Sequence, residues 1–233
     1  SLEIYSGITA SVYPLLRIAQ MEAELGHTEA ALAVLERAHP IGEQEVRDIG
    51  RAGLGMVRAI VYNACWDVDH LFMAIEAGED VCRMVDQQLV SEQYKIAAFC
   101  EMSAAHLGLA TMSVDEGERQ HHRETALNLS RAAVDIYENF GFLQIVECFS
   151  EEVLFRHSMA LSLNGQTEVA HDFLKRAYDE MMRKHAMIPP DSHYRQTFLN
   201  NIPVHRDIRI AYATSSMQLT WDGSKIQLQF DER

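Results

Sequence analysis

Two carboxylates and an imidazole stand close together near the end of the first third of the chain. Asp67, Asp69 and His70 fall within four residues, and such side chains can build a hydrolytic or metal site. Asp67 and Asp69 also stand where a predicted helix begins, and carboxylates at that place accept hydrogen bonds from free amide groups and favour the positive end of the helix dipole. The sequence has no second group of carboxylates and imidazoles at a corresponding position that could complete such a site. We therefore interpret Asp67 and Asp69 as helix caps.

A second acidic group consists of Glu147, Glu151 and Glu152. Glu147 and Glu151 share a helical face because they are four residues apart. Paired carboxylates perform acid–base chemistry only when burial drives their pKa values apart. We expect this face to be solvated, so it predicts no catalytic pair.

The eleven histidines raise the question of a metal site. Two ligands on one helical face need a spacing of three or four residues, and no pair of histidines has that spacing. His121 and His122 are adjacent and point to different faces, and we interpret them as a solvated helix start. His106 and His157 lie among apolar residues and are predicted to be core or groove histidines. We therefore predict no metal site.

The remaining glycine and nucleophile patterns do not indicate an enzyme. Gly50, Gly53 and Gly55 lie inside a helical pattern with no preceding strand, unlike a phosphate-binding loop, and are expected to allow close helix packing or a kink. No nucleophile elbow or dinucleotide fingerprint is present. The sequence thus predicts a non-catalytic protein without a cofactor.

Charge and composition narrow the choice of partner and compartment. The 233 residues carry a formal charge of −14, which repels a phosphate backbone, so we expect no nucleic-acid partner and a surface suited to a basic or neutral one. Four cysteines occur singly in apolar contexts, as in a reduced cytoplasmic protein. No apolar run approaches the roughly 20 residues that span a bilayer, so we expect no membrane partner.

Apolar residues recur at spacings of three and four residues up to about Tyr212, which predicts an all-α body. A first helix ends at Gly26, and a second is predicted to end at Pro40 and Gly42. Helices joined by so short a turn must lie antiparallel. Three further helical pairs are predicted at 43–64 with 67–88, 91–112 with 118–139, and 143–163 with 167–185.

Breaks in this pattern divide the chain into three parts. Residues 1–188 are predicted to form the helical-hairpin repeats, and residues 189–214 two short closing helices. Asp191 or Ser192 is predicted to cap the first of these helices, and Pro203 to begin the second. Residues 215–233 contain a predicted β-hairpin between Met217 and Phe230. An isolated hairpin is marginal in water, so it is expected to dock either on the helices or on a second copy of the chain, giving a homo-oligomer.

Two segments carry a resemblance to a known family. In Glu24–Leu32 the pair Leu25-Gly26 is followed by a short acidic turn and Ala31, and Leu163–Ala170 repeats the pattern around Asn164-Gly165. Small or apolar residues then follow at spacings of four and three. These segments resemble the helix-turn-helix signature of tetratricopeptide (TPR) repeats. The resemblance implies a TPR-like superhelix of about four helical hairpins that binds a protein or peptide segment.

The same resemblance implies which residues face the partner. In a right-handed TPR superhelix the first helices line the concave side. The partner-binding residues implied by this register are Tyr13, Leu16, Gln20, Glu152, Phe155 and Met159. Arg195 and Arg206 are second candidates, with a structural role as the alternative.

The stretch Tyr194–Ile208 is similar to a segment that closes repeat regions in large bacterial multidomain signalling ATPases and cyclase-linked regulators. This resemblance implies that the chain is the C-terminal regulatory arm of a larger signalling or transcription-regulating protein, whose other domains are also possible partners. The amphipathic pattern at Ser1 is consistent with that expectation. The alternative is a sensor domain for a small molecule or short signalling peptide, which a closed pocket would favour over an open groove.

Overall fold

A computed structural model describes residues 12–43, 47–141 and 148–214, together with the backbone of two short strands. This body is all-α. Four helical hairpins follow one another in the sequence: α1 (Tyr13–Glu24) with α2 (Thr28–Glu43), α3 (Asp48–Cys65) with α4 (Val68–Asp86), α5 (Tyr94–Met112) with α6 (Glu116–Asn139), and α7 (Ser150–Leu163) with α8 (Thr167–Met187).

Two shorter helices and a pair of strands complete the described chain. They are α9 (Tyr194–Asn200), α10 (Pro203–Thr214), β1 (Gln218–Trp221) and β2 (Ile226–Gln229). β1 and β2 pair in antiparallel fashion, with Leu219 opposite Leu228. Among the described residues, no helix is long and apolar enough to cross a membrane.

The hairpins stack in sequence order, as in a helical repeat protein. Within each hairpin the two helices pack against each other, and the first helices α1, α3, α5 and α7 also contact one another in turn. α2, α4 and α6 each pack on the first helix of the following hairpin, while α8 packs on α9 and α10. The first helices therefore form a continuous row that α10 extends beyond the fourth hairpin.

Glycine forms the turn in the two hairpins with the strongest repeat signature. Gly26 and Gly165 have φ values of +80° and +75°, a left-handed conformation that glycine adopts without a steric penalty. Each lies in the short connection between the helices of its hairpin. The predicted turns at these positions are confirmed.

Small residues of the second helices face the interior. These positions are almost fully buried because the two helices of a hairpin approach each other closely there. The buried small residues on α2, α4, α6 and α8 include Ala31, Ala38, Ala77, Ala126, Ser130, Ala133, Ala170 and Ala177.

Close helix approach also explains Gly55. A methyl group at this position would lie 2.7 Å from Cγ2 of Val81 on α4, closer than carbon atoms normally pack. At Gly53 the nearest atom would be 3.7 Å away, which is an ordinary contact. The prediction of close helix packing is thus confirmed for Gly55.

The predicted end of the second helix is wrong. α2 continues through Pro40 and Gly42 to Glu43. Proline removes only one backbone donor, and near the C-terminus of a helix this loss interrupts little of the hydrogen-bond ladder. Gly42 then packs on the side chain of Leu54, where a methyl group would lie 2.5 Å from Cδ2. Tertiary packing therefore outweighs the local helix-breaking signal.

A buried ion cluster fixes the closing helices to the fourth hairpin. Glu151 is fully buried; it accepts hydrogen bonds from Lys184 on α8 and from Nε2 of His205 on α10, the latter at 2.7 Å. Nδ1 of His205 contacts the carbonyl oxygen of Phe198 at 2.8 Å. Although burial favours the neutral acid, the hydrogen bonds from His205 and Lys184 lower the pKa of Glu151 to about 2.

This cluster corrects the expectation of a solvated acidic face. Glu151 lies at the junction of α7, α8 and α10, because α10 covers a face that one hairpin alone would leave wet. Glu152 instead contacts Arg156 on the same helix and is largely buried, with its side chain 17% exposed. Glu147, the third member of that predicted face, lies outside the described residues.

Candidate functional site

The row of first helices lines a partly open cavity of about 580 Å³. Among the described residues, its lining comes from α1, α3, α5 and α7 of all four hairpins, from the segments flanking α3, α7 and α10, and from α10 itself. The second helices contribute none of the described lining residues. We call this space the first-helix cavity.

One part of the first-helix cavity is apolar. Phe155 and Met159 of α7 are almost fully buried and line it together with Ile60 of α3. Val204 and Ile210 of α10 contribute further apolar surface, and Ile210 is 38% exposed at the rim. This part can hold an apolar side chain or the methylene groups of a longer one.

The other part is charged. Four carboxylates and two guanidinium groups belong to the lining, which leaves two negative charges in excess. Arg156 donates to Glu152 at 3.0 Å and lies 4.0 Å from Glu101. Arg206 is 3.6 Å from Asp207. The fourth carboxylate, Glu24 of α1, accepts a hydrogen bond from the amide of Gln20 at 2.9 Å.

Glu101 is the most deeply placed of these carboxylates. It is 7% exposed and accepts a hydrogen bond from Nδ2 of Asn63 at 2.7 Å. Burial raises the pKa of Glu101, and the carboxylates of Glu152 and Glu24 add to that rise, while Arg156 and Asn63 oppose it. Arg156 and Asn63 therefore do not fully offset the effect of burial on the pKa of Glu101.

The same shortage of positive charge extends to the rim. Burial raises the pKa of Glu24, with a further contribution from Glu152. Burial also raises the pKa of Asp207, although Arg206 and Arg156 oppose the rise. In contrast, the carboxylates of Glu152 and Glu101 raise the pKa of Arg156 against the effect of burial, so this guanidinium stays charged.

Unpartnered polar atoms gather at this cavity. Among the described residues, three buried side-chain nitrogen or oxygen atoms lack a hydrogen-bond partner: Oδ1 of Asn63, Nε1 of Trp66 and Nε of Arg156. All three residues belong to the cavity lining. Buried polar groups are normally paired because leaving one unpaired costs about 1–3 kcal/mol. A ligand with one donor and one or two acceptors would satisfy these atoms.

Comparison with known proteins identifies the architecture. No protein-family model matches the chain, and no curated protein is similar to it. The crystal structure of a thermophilic TPR protein from Thermus thermophilus is similar, with a TM-score of 0.54 and 17% sequence identity over 88% of this chain and 98% of that chain. The chain has a TPR-like fold. At this identity the likeness concerns the fold alone.

Four of the six partner-facing residues implied by the TPR resemblance lie together in the structure. Gln20, Glu152, Phe155 and Met159 all line the first-helix cavity. Gln20 and Glu152 contribute polar groups, and Phe155 and Met159 form part of the apolar wall. Whether they contact a partner stays a prediction.

Tyr13 and Leu16 are placed differently. Leu16 is 3% exposed and packs in the core of the first hairpin. The ring of Tyr13 lies near Gly53 and under the guanidinium of Arg47. Neither is among the described lining residues, because α1 turns this end towards α2 and α3 and presents only its last turns to the cavity.

The two arginines predicted as second candidates lie at different places in the structure. Arg206 lines the first-helix cavity. Arg195 instead donates to the carbonyl oxygen of Ile188 at 2.8 Å and lies at a second, more open hollow between α8 and α9. Its hydrogen bond holds the start of α9 against the end of α8.

Five further charged or amide residues of the described lining were not predicted from the sequence: Glu24, Asn63, Glu101, Arg156 and Asp207. Asn63 and Glu101 come from adjacent hairpins, and Asp207 comes from α10. A signal for Glu101 was present: apart from Lys95 at its start, it is the one formally charged residue between Tyr94 and Met112. Charged residues are rarely fully buried without a partner, so an isolated glutamate in an apolar helix indicates a special environment.

The other predicted polar groups have structural explanations. Asp67 caps α4, since its Oδ1 accepts a hydrogen bond from the backbone amide of His70 at 3.0 Å. His157 is buried and contacts the hydroxyl of Ser130 at 2.9 Å, as predicted for a core histidine. His106 pairs with His122 instead of lying alone. In the described part of the chain, no group of three potential ligands is arranged to hold a metal ion.

Proposed function

We propose that the chain is a non-catalytic interaction module that captures a protein or peptide segment in the first-helix cavity. The observation that carries the proposal is the shared lining, in which all four hairpins and α10 contribute to one space. TPR-like folds in general serve as protein-interaction scaffolds. A site assembled from every repeat is suited to recognise an extended segment, because successive parts of the segment meet successive helices.

The resemblance of residues 194–208 to closing segments of multidomain regulators supports a finer proposal. In it, the module is the C-terminal regulatory arm of a larger bacterial signalling or transcription-regulating protein, and it acts in the cytoplasm. Immunoblotting of the native host with an antibody against this chain would test the proposal. We expect a band well above 26.4 kDa, and a band at that mass would contradict it.

The size of the cavity favours a second candidate, a sensor for a small molecule or short signalling peptide. About 580 Å³ lies within the roughly 300–1,000 Å³ of small-ligand pockets. The two candidates differ in what co-purifies with the native protein: a protein segment supports the interaction module, and a small molecule extracted without a protein partner supports the sensor.

Selection from a random peptide library on the immobilised chain tests the main proposal. Ile210→Ser should weaken a selected peptide about tenfold, because it removes an apolar contact at the rim of the cavity. Val169→Ser is the matched control, since Val169 on α8 is similarly exposed and is not among the described lining residues. If no peptide is selected, or if both variants bind equally well, the proposed site is wrong.

A further inference from the structure

We infer that the first-helix cavity recognises a basic side chain, a lysine or an arginine, of the bound segment, with its charged end among Glu24, Glu101, Glu152 and Asp207. This inference rests on the proposed function and names the chemistry of the partner. The overall charge of −14 does not by itself select a position for a cation. The arrangement of polar atoms around the cavity does.

The first step concerns charge balance. Arg156 is shared between Glu152 and Glu101, and Arg206 contacts Asp207 from an exposed position. Glu24 has a neutral amide, Gln20, as its hydrogen-bond partner, and the nearby Arg17 is itself bound to Oε1 of Gln20 at 2.8 Å. One guanidinium therefore serves two buried carboxylates, and a ligand cation would balance the excess.

The second step concerns Asn63. Its Nδ2 donates both to the carboxylate and to the backbone carbonyl oxygen of Glu101, at 2.7 and 3.0 Å. These bonds fix the orientation of the amide, so the unpartnered Oδ1 is a buried acceptor of a residue that lines the cavity. Asn63 is 8% exposed, and a group that enters the cavity and displaces its neighbours slightly can supply the missing donor. An ammonium or guanidinium group supplies such a donor.

The third step concerns the path to the carboxylates. Ile60, Phe155 and Met159 line the same cavity as Glu101. Lysine and arginine carry three or four methylene groups before the charge, so this apolar wall fits their stems. Nε1 of Trp66 and Nε of Arg156 are the unpartnered donors, and carbonyl oxygens of the segment's backbone can accept from them. An acidic side chain would instead meet like charges.

The raised pKa values of Glu24, Glu101 and Asp207 agree with this assignment. Burial makes each of the three carboxylates harder to ionise, and neighbouring carboxylates add to this effect at Glu24 and Glu101. A bound cation reverses that effect. Affinity for a basic segment should therefore rise with pH through the range just above the ordinary carboxyl pKa, with Arg17, Arg156 and Arg206 as the neighbouring basic groups.

The test uses capped heptapeptide mixtures that are random except for a fixed central residue: lysine, arginine, leucine or glutamate. Binding to the full chain is measured by fluorescence polarisation. We expect the lysine and arginine mixtures to bind at least tenfold more tightly than the leucine mixture, and the glutamate mixture to bind most weakly. Equal affinity for all four mixtures would overturn the inference.

A charge-matched pair of double variants separates local recognition from general attraction to an acidic protein. Glu24→Gln with Asp207→Asn removes two carboxylates at the cavity, and Glu36→Gln with Asp172→Asn removes two exposed ones elsewhere. The first pair should weaken the lysine mixture at least tenfold, and the second should leave it unchanged. Equal losses would assign the preference to overall charge and overturn the inference.

The failure of this inference differs from the failure of the proposed function. If the leucine mixture binds as well as the lysine mixture and both are weakened by Ile210→Ser, the cavity binds segments without requiring a cation. If no mixture is weakened by Ile210→Ser, the proposed function fails as well. A capped single lysine that binds as tightly as the lysine mixture would overturn the assignment to a protein segment in favour of a small cationic molecule.

Discussion

Glu101 and Glu151 are both buried carboxylates on first helices of neighbouring hairpins, yet their surroundings differ. Glu151 is held by Lys184 and His205, and these hydrogen bonds lower its pKa to about 2. Burial and two neighbouring carboxylates raise the pKa of Glu101. A carboxylate with its own ammonium and imidazole partners stabilises the fold, whereas we infer that one sharing a single guanidinium beside a cavity serves to bind a ligand.

The largest expected effect comes from removing the charge of Glu151. Glu151→Gln should lower the free energy of unfolding by about 3–5 kcal/mol, because it leaves the ammonium of Lys184 without its buried counter-charge and weakens the hydrogen bond with His205. Urea denaturation measures this change, with the exposed Glu36→Gln as a control expected to have little effect. A loss below about 1 kcal/mol for Glu151→Gln would mean that the cluster does not fix the closing helices.

Acid should remove the same contribution. Because the pKa of Glu151 falls from 4.5 to about 2 on folding, its charge stabilises the fold above about pH 4.5, and that stabilisation is lost as the pH falls towards 2. At 1.36 kcal/mol per pKa unit the loss is about 3 kcal/mol. Urea titrations between pH 7 and 2 should show the free energy of unfolding of the wild type approaching that of Glu151→Gln as the pH falls. A constant difference between the two proteins would contradict the pairing.

A third change compares a buried and an exposed ion pair on the same helix. Lys184→Met should lower the free energy of unfolding by about 2 kcal/mol, since its ammonium contacts the buried Glu151. Lys175→Met removes the contact with Asp179 in a pair where both side chains are exposed, and it should cause no measurable change. If urea denaturation gives the two variants the same free energy of unfolding, burial does not distinguish the two ion pairs.

The smallest expected effect on stability comes from Glu101. A carboxyl group whose pKa rises on folding weakens the fold when it ionises at neutral pH, so Glu101→Gln should leave the free energy of unfolding unchanged or raise it by up to about 1 kcal/mol. The amide can still accept from Asn63. A destabilisation as large as that of Glu151→Gln would make Glu101 a structural residue and remove the contrast.

Much of the fold could be predicted because its signals are local. The helices follow from apolar spacing, and the turns at Gly26 and Gly165 follow from the need for a left-handed conformation. Pro40 misled the prediction because its effect depends on the packing of Gly42 against Leu54, which is a contact between hairpins. The cap at Asp67 was predictable because it involves only neighbouring residues.

The candidate site could be predicted only in part. The TPR resemblance implied that Gln20, Glu152, Phe155 and Met159 face the concave side, and all four line the first-helix cavity. The resemblance did not reveal that α10 brings Asp207 to the cavity that also contains Glu24 of α1. That meeting depends on the path of the whole stack, because no local pattern relates residues so far apart in sequence. The burial of Leu16 in the core, instead of at the cavity, likewise depends on how the helices pack and has no local sequence signal.

The most direct test of the contrast is a carboxyl ¹³C NMR titration of Glu101 and Glu151, with and without a lysine-containing heptapeptide. We predict a pKa near 2 for Glu151 in both samples. We predict a raised pKa for Glu101 alone, and a lower one when the peptide is bound. An unshifted Glu101, or a peptide that leaves the pKa of Glu101 unchanged, would contradict the account.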